Sequence, residues 1–337
     1  MRFISSNDGG QTFQVTNAQC KFEQDEDNTF GRLYDGTAVA IRRGGVFDLL
    51  PEAFVAFWDV AARGMKIWRS RDVRHITMYE FEQVECLDAD CMPAIDSHPR
   101  LRVDEFDSLW MMAIRTPSGG TPAIVANRYG EGSPWVSLPV HPLFTRVGGA
   151  ALNPNLTLRM LTPFSFDVGR NEDGDFEMRY AYAYRNEDGR PQIQAGYCNG
   201  SFECHLSSLW NTEIAYPGHS HMFPSLRYAN VGGTHVWKLS WISTAEGDDG
   251  HVAVWATDLV RAGNATQSLI HAARRVTPLQ EPCPDARGYW GDYDDMGYNA
   301  ATQSFVRPFT DSSRGCTRME WNSLHHDVAA VSIPAIW

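Results

Sequence analysis

Pro224-Ser-Leu-Arg227, Val236-Trp-Lys-Leu-Ser-Trp241 and Val252-Ala-Val-Trp255 follow one another as short apolar or alternating runs, each bounded by Gly, Asp, Asn or Pro. Alternation with a period of two, rich in β-branched and aromatic residues, suits a half-buried strand, and the bounding residues suit turns. The same order recurs along the chain. Ala53-Phe-Val-Ala-Phe-Trp58 is followed by Met65-Lys-Ile-Trp68, and Leu109-Trp-Met-Met-Ala-Ile114 by Ala123-Ile-Val-Ala126. Arg179-Tyr-Ala-Tyr-Ala-Tyr184 is followed by Gln192-Ile-Gln-Ala195, and Ser304-Phe-Val-Arg-Pro-Phe309 by Thr317-Arg-Met-Glu-Trp321. A further strand precedes several of these pairs and opens on a shared signature: Pro99-Arg-Leu-Arg102, Pro154-Asn-Leu-Thr157 and Pro224-Ser-Leu-Arg227, with Tyr289-Trp-Gly-Asp-Tyr293 in the last unit.

Windows with helical spacing are nearly absent, so the chain reads as all-β. Units that begin at 99, 154 and 224 lie 55 and 70 residues apart, which suits four-stranded antiparallel blades with loop insertions. The expected fold is therefore a β-propeller; a two-sheet sandwich would not require repeated units. Arg2-Phe-Ile-Ser-Ser-Asn7 reads as a third strand running into a fourth, so the expected domain spans 1–337 with an incomplete first blade. Either the rest of that blade lies outside the chain or Asp327–Trp337 completes it. Six blades are the first reading and five the alternative.

The composition narrows the function. Lys and Arg number 29 against 41 Asp and Glu, a formal charge of −12, which argues against general binding to nucleic-acid phosphates. With 12% aromatic and only 21% charged residues the chain has ample material for a core, and disorder is excluded. No run of about 18 apolar residues marks a membrane span. Three pairs of cysteines flank local segments: Cys86 with Cys91, Cys198 with Cys204, and Cys283 with Cys316, leaving Cys20. Disulfides, free thiols and a metal site are the three readings, and the disulfide reading implies a secreted or periplasmic protein. The sequons at Asn155, Asn199 and Asn264 agree with secretion.

Ser6-Asn-Asp8-Gly-Gly10-Gln-Thr-Phe13 fits S-x-D-x-G-x-x-W/F and resembles the Asp-box of sialidase-type, or BNR-repeat, propellers. There Ser and Asp bond turn amides, Gly permits positive φ and the aromatic residue locks the turn. Tyr289-Trp-Gly-Asp-Tyr-Asp-Asp-Met296 with Phe309-Thr-Asp311 is similar to another unit of such propellers. The F/Y-R-I/L-P string of sialidases does not occur. The resemblance implies a glycoside hydrolase acting on an acidic sugar. Arg102 and Arg227 would grip the acidic group, His98 and His221 would bind substrate, Asp292 would be acid/base and Tyr293 the nucleophile.

Each of these residues also has a plain structural use: blade-to-blade ion pairs for the arginines, turn capping for Asp292. A non-enzymatic, lectin-like propeller is the second functional reading. A third is a His-dependent metalloenzyme or polysaccharide lyase, with His219 and His221 on one face of a strand joined by His98 or His325-His326. Asn171-Glu-Asp-Gly-Asp175 and Asp25-Glu-Asp27 could hold structural calcium but lack a full calcium-loop spacing. Phosphate loops and G-x-S-x-G elbows are missing, so no nucleotide cofactor or serine triad is expected, and the expected partner is a glycan.

Overall fold

The computed structural model describes residues 2–5, 14–17, 19–20, 34–42, 51–59, 64–71, 80–83, 99–116, 120–128, 135–143, 146–147, 158–159, 163–245, 251–262, 267–270, 272–280, 295–311 and 327–337. The described residues form an all-β propeller with five blades, antiparallel throughout except for one parallel strand at the edge of the first. Its contacts divide it into two compact units, Met1–Leu138 and Pro139–Trp337.

In the first unit, β1 (Arg2–Ser5) and β2 (Gln14–Asn17) form an antiparallel pair around residues 6–13. The Asp-box residues Ser6, Asp8, Gly10 and Phe13 lie outside the described residues. β3 (Gln19–Cys20) runs parallel to β7 (Glu80–Gln83), at the outer edge of a sheet completed by β4 (Tyr34–Arg42), β5 (Glu52–Asp59) and β6 (Gly64–Arg71). The second blade comprises β8 (Arg100–Val103), β9 (Leu109–Arg115), β10 (Ala123–Arg128) and β11 (Val136–Ser137). Along β4, Ala38 and Ala40 turn inward while Val39 and Ile41 are exposed, as strand alternation requires. The inward residues join Phe54, Ile67, Leu101, Met111 and Val125 in one core.

The second unit opens with a short pair, β12 (Arg146–Val147) and β13 (Leu158–Arg159). Its first full blade is β14 (Phe164–Arg170), β15 (Phe176–Arg185), β16 (Pro191–Asn199) and β17 (Cys204–Asn211), followed by a helical turn, α1 (Thr212–Ala215). The next blade is β18 (His221–Val231), β19 (Thr234–Ser243), β20 (Ala253–Ala262) and β21 (Gln267–Ile270), with β22 (Arg274–Arg275) also paired to β20. The fifth shows β23 (Gly297–Asn299), β24 (Ser304–Asp311) and β25 (Asp327–Pro334) among the described residues.

Four of the five expected strand pairs are present as β5–β6, β9–β10, β15–β16 and β19–β20. In the fifth, β24 pairs with Asp327–Pro334, and Thr317–Trp321 lies outside the described residues. Asp327–Pro334 thus belongs to the fifth blade. The blade count is five, the alternative of the two numbers expected. The leading strand of the third blade is Phe164–Arg170, some way beyond the Pro154 signature that was expected to open it.

Large residues on one sheet meet small ones on the next. Trp237, Trp241 and Trp255 of the fourth blade pack on Ala181, Ile193 and Ala195 of the third, and Ala229, Val236 and Ala256 meet Met296, Phe305 and Ile333 of the fifth. The hairpin at Asn171 closes by side-chain chemistry: its Oδ1 accepts from the amides of Asp173 at 3.0 Å and Asp175 at 2.9 Å, and Gly174 takes φ 87°. Cys198 and Cys204 are disulfide-bonded across the β16–β17 turn, as one of the three expected pairs. Cys86, Cys91, Cys283 and Cys316 fall outside the described residues.

The ring of Tyr228 lies directly over Gly169, within contact of where a Cβ would sit. Gly169→Ala is expected to destabilise the protein by about 1–3 kcal/mol through overpacking. A thermal melt reads this as a drop of several degrees; an unchanged melt would show that the ring does not occupy that place.

Candidate functional site: a carboxylate–guanidinium seam

β14 and β18 lead adjacent blades, and each has only one strand neighbour within its own sheet. Their sequences align as Pro163-Phe-Ser165-Phe-Asp167 and Phe223-Pro-Ser225-Leu-Arg227. Residues two apart share a face, so Ser165 and Asp167 project together, as do Ser225 and Arg227. Ser165 Oγ accepts from the Leu226 amide at 3.0 Å, and Asp167 Oδ2 from the Tyr228 amide at 2.9 Å. One blade further on, Ser225 Oγ accepts from the Met296 amide at 2.7 Å. These bonds supply partners to strand amides that have no neighbour in their own sheet.

Arg227 sits where the three blades meet. Its Nη1 is 3.6 Å from Asp167 Oδ2, its Nη2 is 3.6 Å from Asp295 Oδ2, and its Nε donates to the Met296 carbonyl. Asp167 is held further by the Val168 amide at 2.9 Å on Oδ1, so both its oxygens accept hydrogen bonds. Asp295 Oδ1 accepts from the Met296 amide at 3.0 Å and lies 3.4 Å from Ser225 Oγ. The Asp167 side chain is 10% exposed, but Arg227 and Asp295 retain 24% and 25%, so a ligand can reach them. Two carboxylates bracketing one guanidinium leave a formal charge of −1, which can stabilise positive charge developing on a ligand.

Arg227 was expected as a site residue; Asp167 was not. Its signal, a polar pair at alternate positions within Phe-Ser-Phe-Asp, was masked by the flanking aromatics. Arg102 lies in the first unit on β8, 5% exposed, with Nη1 donating to Leu101 O at 2.7 Å. His98, Asp292 and Tyr293 lie outside the described residues. His219 is half-buried, and its carbonyl accepts from Gln192 Nε2 at 2.7 Å.

His221 lies in the core. Trp241 Nε1 donates to its Nδ1 at 3.2 Å, and its Nε2 faces the Tyr216 carbonyl at 3.5 Å, the pattern of a neutral Nε2–H tautomer. Burial holds its pKa down to about 3, and nearby His219 acts in the same direction, against the bond to Tyr216. Both ring nitrogens are engaged. Among the described residues no group of three or more His, Cys, Asp or Glu side chains is placed to hold a metal ion. Tyr184 donates to Glu213 Oε2 at 2.9 Å and tethers α1, with its own pKa raised mainly by burial.

No protein-family profile matches the chain, and no curated protein does. Among solved structures it is similar to a point mutant of B. megaterium levansucrase at 9% identity, covering 90% of this chain and 86% of that one with a TM-score of 0.46. A thermostable family-43 glycoside hydrolase aligns at 9% identity over 84% of this chain and 86% of that one, TM-score 0.43. Endo-arabinase from Bacteroides thetaiotaomicron aligns at 10% identity over 90% and 94%, TM-score 0.40. Identities and TM-scores of this size transfer neither a substrate nor a reaction to this chain.

Arg227→Met leaves Asp167 and Asp295 without their shared cation and is expected to cost about 1–3 kcal/mol. Adding Asp295→Asn should recover part of that loss, and a double-mutant cycle by urea unfolding measures the coupling. For His221, the unfolded chain takes up a proton between about 6.5 and 3 that the native state refuses. Stability should therefore rise with pH across that window and fall as pH drops through it. His221→Gln should flatten this dependence, read as urea midpoints at about pH 4.5 and pH 7.

Proposed function

We propose that the chain is a glycoside hydrolase whose centre includes the Asp167–Arg227–Asp295 seam. The observation that carries this reading is the single guanidinium held between carboxylates from the leading segments of neighbouring blades. Asp167, hydrogen-bonded on both oxygens, serves as the fixed anion that stabilises an oxocarbenium-like transition state. Asp295, more exposed, faces the ligand. Asp292 and Tyr293, three and two residues upstream in the sequence, take the acid/base and nucleophile roles in this reading.

Arg227 is already matched by two carboxylates, so its role is to hold them rather than to grip a substrate carboxylate. With one net negative charge, the seam suits a neutral glycan better than an acidic one. The Cys198–Cys204 disulfide supports a secreted or periplasmic location. No helix among the described residues is long and apolar enough to cross a membrane.

The test is a screen of neutral and acidic oligosaccharides for binding and for turnover. With the substrate so found, Asp292→Asn is expected to lower kcat by about 10²–10⁴-fold with little change in KM, and Asp295→Asn to raise KM. Circular dichroism checks that the fold persists. Binding without turnover of any probe would move the assignment to the lectin-like reading.

A further inference from the structure

Lys238 on β19 is the cross-strand partner of both Arg227 on β18 and Asp258 on β20, and Arg274 on β22 is that of Ala256. Cross-strand partners point to the same face, so these residues line one face of the fourth blade. Trp337 lies on that face, its ring centroid 4.6 Å from Lys238 Nζ and 4.7 Å from Arg274 Cζ. Lys238 is fully buried and ion-paired to Asp258. Trp337 as a residue nevertheless remains 37% exposed and borders a cavity of about 660 Å³, with Glu172, His235, Asp258, Arg274 and Ile336 among its walls.

We propose that this cavity binds a neutral saccharide of one or two rings stacked on Trp337. The volume is in the range of small-molecule sites. Where it borders the cavity, Trp337 offers apolar surface for the C–H groups of a sugar to pack against. Both wall carboxylates are already matched, Glu172 by Arg179 at 3.0 Å and Asp258 by Lys238, so they accept hydroxyl hydrogen bonds without presenting an uncompensated negative charge. His235 Nδ1 is held 2.7 Å from the Tyr228 hydroxyl, which leaves Nε2 as its remaining hydrogen-bonding atom. A mixed set of donors and acceptors around an aromatic floor recognises a neutral polyol better than an anion or a cation. The ligand class rests on the glycan-active reading above; the site, formed by blade residues other than the seam, does not.

Isothermal titration calorimetry with maltotriose, cellotriose and arabinotriose, and sialyllactose as the charged comparator, tests this on the intact chain. At least one neutral trisaccharide should bind and shift the tryptophan fluorescence, with sialyllactose weaker. Trp337→Ala should weaken binding about tenfold or more. Ala272→Trp, at an exposed wall position, should do the same by filling the cavity. Asp295→Asn should leave this binding intact, whether or not turnover is lost. Absence of binding by every neutral probe, or unchanged affinity in both cavity variants, overturns the proposal. Absence of turnover in the same protein overturns the hydrolase reading alone.

Discussion

A blade's leading strand is an edge, and its outward amides need acceptors from somewhere other than its own sheet. In the second unit they find them in short polar side chains of the preceding blade: Ser165 and Asp167 serve β18, and Ser225 serves the segment entering β23. A serine hydroxyl is small enough to lie between two closely packed strands and still reach a backbone nitrogen. Each such bond contributes only about 1 kcal/mol net, but leaving the amide buried and unpaired would cost more. The same bonds fix the vertical register of one blade against the next. Because Ser225 bonds Met296 as Ser165 bonds Leu226, Asp295 comes to rest at the level of Ser225, within reach of Arg227. The polar cluster is a consequence of edge satisfaction.

Cations complete the junctions. Arg179, 2% exposed, binds Glu177 and Glu172 and stacks on Trp237 of the next blade at 4.7 Å. Arg307 crosses from β24, with Nη1 on Ser240 Oγ at 2.9 Å and Nη2 on the Phe223 carbonyl at 2.8 Å. That carbonyl is available because β18 carries a bulge between Met222 and Ser225, which also accommodates Pro224 inside a strand. Desolvating a guanidinium is costly, so these arginines are fed by several acceptors each. Their planar forks also tie backbone on one blade to side chain on another, which an apolar residue of equal volume would not do.

What the sequence made legible follows from the range of the forces involved. Strand pairs such as Leu109–Ile114 with Ala123–Ala126 are local: period-two alternation and a turn suffice to read them, and they are present. The blade count is a non-local quantity, since it depends on which strand each edge finally joins. Asp327–Pro334 has the alternation of any strand, and only its pairing with β24 places it in the fifth blade. Likewise Phe164–Arg170 carries no proline at the signature position shared by the neighbouring units, so its leading role was hidden. At the site, Arg227 could be picked out as a charge on a leading strand, but Asp167 is 61 residues from the amide it accepts from, and no spacing rule connects them.

His221 and Arg227 show how position on one strand separates an enclosed polar residue from an accessible one. Both are polar residues of β18. His221 stands at its start, enclosed by Tyr216 and Trp241, and its engaged nitrogens make it a neutral part of the core. Arg227 lies six residues on, past the bulge, where the fourth blade faces carboxylates on both sides and a quarter of the side chain still meets solvent. A bulge shifts the phase of the residues after it, so Ser225 and Arg227 share a face that simple alternation from His221 would not have fixed. An ionisable group becomes useful for chemistry when it is held but not fully enclosed. In this strand the bulge separates the enclosed stretch from the accessible one, and the same two-residue irregularity gives Arg307 its carbonyl and Arg227 its direction.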